Sequence, residues 1–450
     1  MKPMKKVLIA NRGEIAVRII RACQEMDLET VAVYSTADKN AMHVKIADEA
    51  VCIGSPRPTD SYLNKQAILS AAIITNADAI HPGYGFLSEN AEFVDMLEAH
   101  GFIFIGPTAN HIRTMGDKIE AIKTAKRFGL PTVPGSNGEV ATIEEAEKVA
   151  KKITYPVIIK ATAGGGGRGM KIVHKASELK EAYHTAKSEA LSAFGNGSVY
   201  MEKFLSNPKH IEVQILGDTY GNVIHLFERD CSVQRRNQKV IEEAGQTNLT
   251  KDERNYICEV SAKAMKKMKY RSAGTIEYLY EKGKFYFIEM NTRLQVEHPV
   301  TEFITRVDLV YEMLRIADGK PLTYKQSDIR RIGHAIECRI NAEDPQTFTP
   351  NPGKITTFHP SAGLGVRVDT AIYNGYTITP YYDSMIAKLI VYGTTREHCI
   401  LRLKRSLHEL IIEGVMTNQL LHLKLIAQKD FLSGEYTIKW LEKLLGDETA

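Results

Sequence analysis

Residues 285–302, FYFIEMNTRLQVEHPVTE, concentrate side chains that can bind cations and anions. Alternating apolar residues at the start of this segment predict a strand, and TIEYLY (275–280) predicts a second strand that pairs with it as a hairpin. In one register, Glu277 and Glu289 face each other with their side chains ~5 Å apart. Two carboxylates at that separation repel by roughly 3 kcal/mol at an effective dielectric of about 20, and a bound cation removes the repulsion.

The hairpin turn decides whether the two carboxylates share a face. A turn centred on Gly283 places them together, whereas a two-residue turn at Lys282-Gly283 places them on opposite faces. If they share a face, Asn291 adds an oxygen ligand, and such a set is typical of Mg²⁺ shared with substrate phosphates. An edge hairpin with solvated acids is the alternative, but the following RLQVEH (293–298) favours an anion site beside a metal.

The composition is ordinary for a globular protein, with 44% hydrophobic and 25% charged residues among 450, and the length predicts two to four domains. The net charge is only +4, and the sequence has no basic tract interleaved with aromatic residues, which argues against nucleic acid as a partner. No apolar run approaches the ~18 residues of a membrane span, and the amino terminus lacks a signal-peptide core. Six scattered cysteines show no zinc-binding spacing. We therefore expect a cytoplasmic protein with neither nucleic acid nor a membrane as a partner.

Alternating strands and helices predict a parallel, Rossmann-like sheet over roughly the first 115 residues. KKVLIA (5–10) is typical of a buried strand, and the amphipathic segment 14–26 predicts the next helix. The intervening turn offers only Gly13 rather than G-x-G-x-x-G, which argues against a nicotinamide cofactor. HPGYG (81–85) predicts a turn at the carboxyl edge of the sheet, where it is either structural or part of a ligand site.

A glycine-rich loop follows in the segment 155–173, where Gly164, Gly166 and Gly169 formally match G-x-G-x-x-G. A dinucleotide site would need a helix next, but MKIV predicts another strand. A glycine loop between two strands can close over phosphates as a lid, with Lys160 reaching a phosphate oxygen. A flexible hairpin tip is the alternative.

Three further segments carry candidate groups. VYMEKFL (199–205) could form a hinge that binds an adenine edge, and alternation places His210, Glu212 and Gln214 on one face of a strand. The basic loop at Lys239 indicates either anion binding or a solvated surface.

Beyond about residue 330, the sequence predicts mostly β-strands. Arg339 lies in a predicted strand within 333–344 and is either functional or a structural salt bridge, and 396–414 predicts a long helix. AMKKM (264–268) is similar to a biotin attachment site, but an extra lysine interrupts the motif and the surrounding pattern is helical. Any biotin must therefore arrive on another molecule.

These motifs identify a family. In order, ANRGEIA, HPGYGFLSEN, MGDK, KATAGGGGRGM, ERDCSVQRR, EMNTRLQVEHPVTE, ECRINAED and PYYDSMIAK resemble biotin carboxylase over essentially the whole chain. That is the ATP-grasp subunit of bacterial acetyl-CoA carboxylase and its relatives. The resemblance implies an α/β protein with a Rossmann-like domain (1–116), linker helices and a glycine-rich lid (117–205), an ATP-grasp core (206–330) and a carboxyl-terminal domain packed on that core (331–450).

The resemblance also implies the reaction and its partners. ATP and bicarbonate form carboxyphosphate, which carboxylates N1′ of biotin held on a separate carrier protein. The implied cofactors are ATP, Mg²⁺ or Mn²⁺, and that biotin. The implied partners are the biotin carboxyl carrier protein, the carboxyltransferase subunits and a second copy in a homodimer.

Site residues follow from the same resemblance. Nucleotide binding is assigned to Lys118, Lys160, Gly166, Gly167, Glu202, Lys203, Leu205, His210, Gln234, Asn237, Glu277, Leu279 and Glu289. Metal binding is assigned to Glu277, Glu289 and Asn291, and bicarbonate binding to Lys239, Arg293, Gln295, Val296 and Glu297. The catalytic residues are Lys239, Arg293, Glu297 as the base and Arg339, while Tyr84 and Arg339 contact biotin.

Two positions depart from the family pattern. Asn237 stands where relatives often carry His or Leu, and Gly245-Gln246-Thr247 stands where they carry a proline-rich turn. The alternatives are another ATP-grasp enzyme, such as a purine-pathway carboxylase or a carboxylate–amine ligase, a non-catalytic nucleotide-sensing subunit, or part of a multifunctional carboxylase. RLQVEH and Arg339 favour the biotin enzyme, and the chemical residues expected of a catalyst are all present.

If the glycine loop is a nucleotide lid, Mg·ATP should slow backbone hydrogen exchange across residues 160–172, because the loop N–H groups would donate to phosphate oxygens. The helical segment 396–414 serves as the internal control, with unchanged exchange. Equal exchange across 160–172 with and without nucleotide would contradict the lid hypothesis.

Overall fold

The amino-terminal part of the computed structural model, which describes residues 3–136, 138–162, 169–245 and 248–446, is a parallel sheet flanked by helices. Its elements are β1 (Lys6–Ile9), α1 (Gly13–Glu25), β2 (Glu29–Ser35), α2 (Met42–Ile46), β3 (Glu49–Gly54), α3 (Lys65–Ile74), β4 (Ala79–His81), α4 (Ala91–Ala99), β5 (Ile103–Phe104) and α5 (Ala109–Gly116). The strand order β3-β2-β1-β4-β5, parallel throughout, confirms the Rossmann-like prediction. The turns after β1 and β4 therefore lie at the edge where such sheets bind ligands.

A small three-stranded unit comes next in the chain. It contains α6 (Lys118–Phe128), α7 (Ile143–Ile153), β6 (Val157–Ala161), β7 (Met170–Val173), α8 (Leu179–Phe194) and β8 (Val199–Lys203). β6 pairs antiparallel with both β7 and β8, so the predicted strands on either side of the glycine loop are confirmed. The loop itself, 163–168, lies outside the described residues.

The central sheet has eight antiparallel strands and extends beyond the predicted core. Its first part comprises β9 (Lys209–Gly217), β10 (Val223–Arg235), β11 (Gln238–Ala244), α9 (Lys251–Met268), β12 (Ser272–Glu281), β13 (Lys284–Asn291), α10 (His298–Thr305) and α11 (Leu309–Ala317). The remainder comprises β14 (His334–Asn341), β15 (Gly353–Lys354), β16 (Thr357–His359), β17 (Val366–Thr370), β18 (Thr377–Ile378), β19 (Met385–Gly393), α12 (Arg396–Glu409), β20 (Ile411–Glu413), α13 (Gln419–Ile426), α14 (Lys429–Ser433) and α15 (Trp440–Leu445). The order β13-β12-β9-β10-β11-β14-β19-β17 makes the carboxyl-terminal strands a continuation of the core sheet.

The β12–β13 hairpin combines features of both alternatives that the sequence left open. Its turn is the two-residue one, with Lys282 and Gly283 at φ +52° and +77°, which fits a type I′ turn. A bulge then adds Ile288 to β13, so that Glu289 pairs with Glu277 after all. Because a bulge sets two residues against one, it restores the shared face that the turn alone would remove.

The predicted helix 396–414 is too long. The α12 helix ends at Glu409, and Ile411–Glu413 instead form β20, which pairs with β16. Two successive β-branched residues, Ile411 and Ile412, favour a short strand over helix continuation, and Gly414 closes it. AMKKM lies within α9, so the predicted helix is confirmed, with Lys266 and Lys267 exposed but Ala264 and Met265 buried. Within the described ranges, no helix has the length and apolar character needed to cross a bilayer.

One hydrophobic cluster fixes the parallel sheet against the central sheet. Ile15 and Ile19 of α1 belong to the same buried cluster as Leu309 and Met313 of α11 and Leu216 of β9. Burial of such side chains contributes about 1.5–3 kcal/mol each. The turns after β1 and β4 are thereby held against one face of the central sheet.

Candidate active site

A cavity of about 960 Å³ lies between the turns after β1 and β4 and the central sheet. Most of the predicted site residues line it together: Tyr84, His210, Gln234, Asn237, Lys239, Glu277, Leu279, Glu289, Asn291, Arg293, Gln295, Val296, Glu297 and Arg339. These residues come from distant parts of the chain, and the sheet order brings them to one place.

The other predicted nucleotide residues do not line this cavity: Lys118, Lys160, Glu202, Lys203 and Leu205. Lys118 and Glu202 line a second cavity of about 260 Å³ between α6 and β8. Lys160 Nζ donates to Glu202 Oε2 at 2.7 Å, so these two side chains are already paired. Gly166 and Gly167 lie outside the described residues.

Lys203 and Leu205 line neither of these two cavities. The ammonium of Lys203 donates to the backbone oxygen of Tyr155 at 2.9 Å, and Leu205 is buried.

The hairpin carboxylates have contrasting environments. Glu289 lies at the cavity wall with its side chain partly accessible, and its pKa is raised by partial loss of solvent and then by repulsion from Glu277 and Glu89. Burial alone would raise the pKa of Glu277, but Lys239 and His210 hold it well below its ordinary value. Asn291 Nδ2 donates to Glu277 Oε1 at 2.8 Å. The repulsion that remains at Glu289 is what a divalent cation would relieve.

Lys239 occupies the centre of the acidic cluster. Its ammonium donates to Glu212 at 2.6 Å, Glu297 at 2.7 Å and Glu277 at 2.9 Å. Desolvation would lower the pKa of Lys239, but the three carboxylates raise it well above its ordinary value. The side chain is therefore a permanent cation and cannot serve as a base near neutral pH.

Two groups of side chains have the spacing of metal ligands, because the ligand atoms within each group lie within 4.8 Å of one another. One group is His210, Glu212 and Glu277, and the other is Glu212, Cys231 and Glu297. The ammonium of Lys239 already forms ion pairs with the carboxylates of both groups. A divalent ion could instead use the carboxylate oxygens of Glu277 and Glu289, which pair across the hairpin. The amide oxygen of Asn291 would join them only after releasing the guanidinium of Arg293, which donates to it at 2.6 Å.

Arg229 is a positioning residue that the sequence analysis missed. Its fully buried guanidinium contacts Glu212 and donates to Gln214 at 2.7 Å and to Gln295 at 2.6 Å. Gln295 in turn donates to Glu277 at 2.8 Å. In the sequence, Arg229 is one charge within ERDCSVQRR, and only its fork geometry in the folded protein distinguishes it.

Glu89 was also missed, although HPGYGFLSEN was recognised as a motif. One oxygen of Glu89 accepts the backbone N–H of Thr292 at 2.9 Å, and the other accepts Arg293 Nε at 2.9 Å. Arg293 also donates to Asn291 Oδ1 at 2.6 Å. An acid in the loop between β4 and α4 thus orients an arginine that follows β13.

Glu297 is held by two cations. Arg339 Nη2 donates to its second oxygen at 3.2 Å, while Lys239 binds the first. Burial would raise the pKa of Glu297, but Lys239, Arg339 and Arg229 lower it far below the ordinary range. Arg339 also donates to Glu242 at 2.6 Å. Arg339 therefore fits both hypotheses for this residue, because it forms a salt bridge with Glu242 and also lines the cavity as a cation.

Asn237 has a backbone role. With Arg236 it forms the two-residue turn between β10 and β11, at φ +63° and +48°. Asparagine accepts the left-handed conformation better than most residues, which accounts for its suitability at this turn. Gly245 precedes Gln246 and Thr247, which lie outside the described residues. The departure from the family pattern at 245–247 therefore rests on the sequence alone.

The antiparallel core, the separate three-stranded unit and the acidic cavity define an ATP-grasp enzyme. Family models match in order: biotin carboxylase, N-terminal domain at 3–112; carbamoyl-phosphate synthase L chain, ATP binding domain at 117–325; and biotin carboxylase C-terminal domain at 337–443. The chain belongs to the biotin carboxylase family, the ligases that perform the ATP-dependent carboxylation of biotin in acyl-CoA carboxylases.

Individual relatives agree along their full length. Biotin carboxylase of Haemophilus influenzae is 57% identical over 444 residues, which cover 98% of this chain and 99% of that protein. Biotin carboxylase 1 of Bacillus subtilis is 53% identical, covering 98% of each chain. A crystal structure of a biotin carboxylase–β-γ-ATP complex from Campylobacter jejuni aligns with a TM-score of 0.92 at 49% identity, covering 98% of this chain and 99% of that one.

If Glu277 and Glu289 share a cation, Glu289→Gln should raise the magnesium concentration needed for half-maximal ATP cleavage and strongly lower turnover, because a charged oxygen ligand is lost. Titration of magnesium at saturating ATP measures this. Glu259→Gln is the matched control, since Glu259 is exposed on α9 and pairs only with Lys263 among the interactions described. Unchanged magnesium dependence in Glu289→Gln would show that the hairpin acids are structural.

Proposed function

We propose that this chain forms carboxyphosphate from ATP and bicarbonate and then carboxylates N1′ of biotin on a separate carrier protein. The observation that carries the proposal is the sharing of Glu297 between Lys239 and Arg339 at 2.7 and 3.2 Å. One carboxylate thus lies between a cation suited to bicarbonate and a cation suited to the ureido oxygen of biotin.

Bicarbonate would bind where Lys239, Arg293, Gln295 and the backbone of Val296 meet. Glu297 is a weak base while its two cations remain bound. An arriving anion competes for Lys239, which weakens that ion pair and raises the basicity of Glu297. Substrate binding would thereby prepare the carboxylate to take the bicarbonate proton, which leaves a nucleophile for the γ-phosphate.

The nucleotide would extend from this cavity toward the second one. Glu277, Glu289 and Asn291 would hold Mg²⁺ or Mn²⁺, which supplies charge neutralisation at the transferring phosphate. Lys118, Lys160 and the glycine loop would contact phosphates, with the remaining predicted residues around the base and ribose: Glu202, Lys203, Leu205, His210, Gln234, Asn237 and Leu279. In this proposal residues 117–205 act as the lid, between the domain 1–116 and the core 206–330.

Biotin would lie beside Tyr84 and Arg339, with the guanidinium facing the ureido oxygen. Negative charge develops on that oxygen as N1′ loses its proton, and a fixed cation stabilises it without reorganisation. Because Arg339 lies on β14 of the 331–450 region, the carboxyl-terminal domain would contribute directly to the second half-reaction.

The partners in this proposal are a biotin carboxyl carrier protein, carboxyltransferase subunits of an acyl-CoA carboxylase and a second copy of the chain, in the cytoplasm. Support for the homodimer comes from the biotin carboxylase domain of Hydrogenobacter thermophilus 2-oxoglutarate carboxylase. That dimer, solved with MgADP, ADP and bicarbonate, is 52% identical and aligns with a TM-score of 0.91, covering 98% of each chain.

The two half-reactions can be separated by mutation. Arg339→Ala should retain most of the slow, bicarbonate-dependent ATP cleavage while biotin carboxylation falls by roughly 10²–10³-fold, the effect typical of removing one oxyanion donor. Glu297→Gln should lose both activities, because without deprotonated bicarbonate the γ-phosphate has no nucleophile. Phosphate release and biotin carboxylation are measured in parallel.

Arg402→Ala is the matched control, because Arg402 of α12 lies outside the cavity and binds the backbone oxygen of Tyr392. It should keep both activities. Near-parent carboxylation by Arg339→Ala would assign Arg339 to structure alone. ATP cleavage stimulated by aminoimidazole ribotide rather than bicarbonate would instead favour the purine-pathway alternative.

A further inference from the structure

Lys388 is a fully buried lysine beneath the cavity wall. It lies in the middle of β19, where the register pairs it with Arg339 of β14 on one side and Asp369 of β17 on the other. Removing an ammonium from water is expensive unless close partners compensate. The contacts of Lys388 therefore show which groups offset the cost of burying its charge.

The closest partners of Lys388 are not on its own sheet. Its ammonium donates to the backbone oxygen of Val296 at 2.9 Å and lies 3.1 Å from Glu14 Oε1. Asp369 is farther away, at 3.8 Å, and both of its oxygens already accept from Arg367 at 2.7 Å. Asp369 therefore already has a counterion in Arg367 and does not depend on Lys388.

Glu14 carries the connection to the parallel sheet. It is the second residue of α1, just after the turn that follows β1, and the hydroxyl of Tyr84 donates to the same Oε1 atom that faces Lys388. One ammonium therefore joins Val296 in the loop before α10 to Tyr84 in the turn after β4.

The charges around Lys388 keep it ionised. Desolvation would lower the pKa of Lys388, but Glu14, Glu337 and Asp369 raise it, against an opposing contribution from Arg367. Glu337, two residues before Arg339 on β14, is fully buried, and neither of its carboxylate oxygens has a hydrogen-bond partner among the described residues. Burial raises the pKa of both Glu14 and Glu337, and Lys388 opposes that rise in each.

We propose that Lys388 is a positioning residue that holds the Val296 carbonyl and, through Glu14, the Tyr84 hydroxyl in the geometry required by both half-reactions. The inference rests on the proposed function, which places bicarbonate at Val296 and biotin at Tyr84. Lys388 touches neither substrate. It fixes the two subsites relative to each other, across the junction between the parallel and central sheets.

The diagnostic variant is Lys388→Met, which keeps the length of the side chain and removes the charged donor. The KM for bicarbonate in ATP cleavage without biotin should rise by about tenfold or more, as expected when a hydrogen bond from a charged donor is lost. The KM for biotin should rise as well. The variant should also melt at a lower temperature, because Glu14 is left buried without its cation.

A second variant separates positioning from stability. Lys388→Met combined with Glu14→Gln removes both charges, while glutamine can still accept the Tyr84 hydroxyl. Its melting temperature should recover toward that of the parent, because no unpaired charge remains. Its KM for bicarbonate should stay raised, because Val296 still lacks its donor.

Arg254→Met is the matched control, since Arg254 is a buried cation that binds Glu228 outside the cavity. It should lose stability and keep the parent KM values. Recovery of both melting temperature and bicarbonate KM in the double variant would overturn the inference and leave Lys388 a structural cation. Unchanged KM values in Lys388→Met would overturn it as well. A parent protein without bicarbonate-dependent ATP cleavage would overturn the proposed function itself, and the inference with it.

Discussion

The site depends on one ammonium group among three buried carboxylates. Without Lys239, the carboxylates of Glu212, Glu277 and Glu297 would repel one another in a poorly solvated space. Arg229, which is fully buried, adds a second cation to the same cluster through its contact with Glu212. Because breaking a buried ion pair leaves an uncompensated charge, these residues form an interdependent set. Any anion that enters must compete for cations that are already bound.

The register of the central sheet brings a further cation to this cluster. β14 pairs with β11, which carries Lys239, so Arg339 reaches Glu297 from the side opposite the hairpin acids. The carboxyl-terminal region is therefore not an appendage packed against a finished core. It supplies strands to the same sheet and one of the two cations that hold Glu297.

Much of this arrangement could be predicted from the sequence. The alternation of strands and helices gave the parallel sheet, and the motifs gave the family and most residues that meet in the cavity. Arg229 and Glu89 were missed because their importance depends on partners far away in the chain: Gln295 and Arg293. The hairpin shows the same limit, because periodicity cannot reveal that a bulge at Ile288 reverses the consequence of a two-residue turn. Likewise, local helical pattern extended α12 past Glu409, where pairing with β16 takes over.

The pairing of Lys160 with Glu202 has a thermodynamic consequence for ligand binding. A phosphate can recruit this ammonium only by displacing a carboxylate that is 2.7 Å away. The displaced Glu202 then needs a new donor, and under the proposed assignment a base or ribose group supplies it. The two ends of the nucleotide would therefore bind cooperatively, each relieving a cost that the other creates. Separate nucleoside and phosphate fragments would together bind more weakly than the intact molecule for this reason, beyond the entropy of linking them.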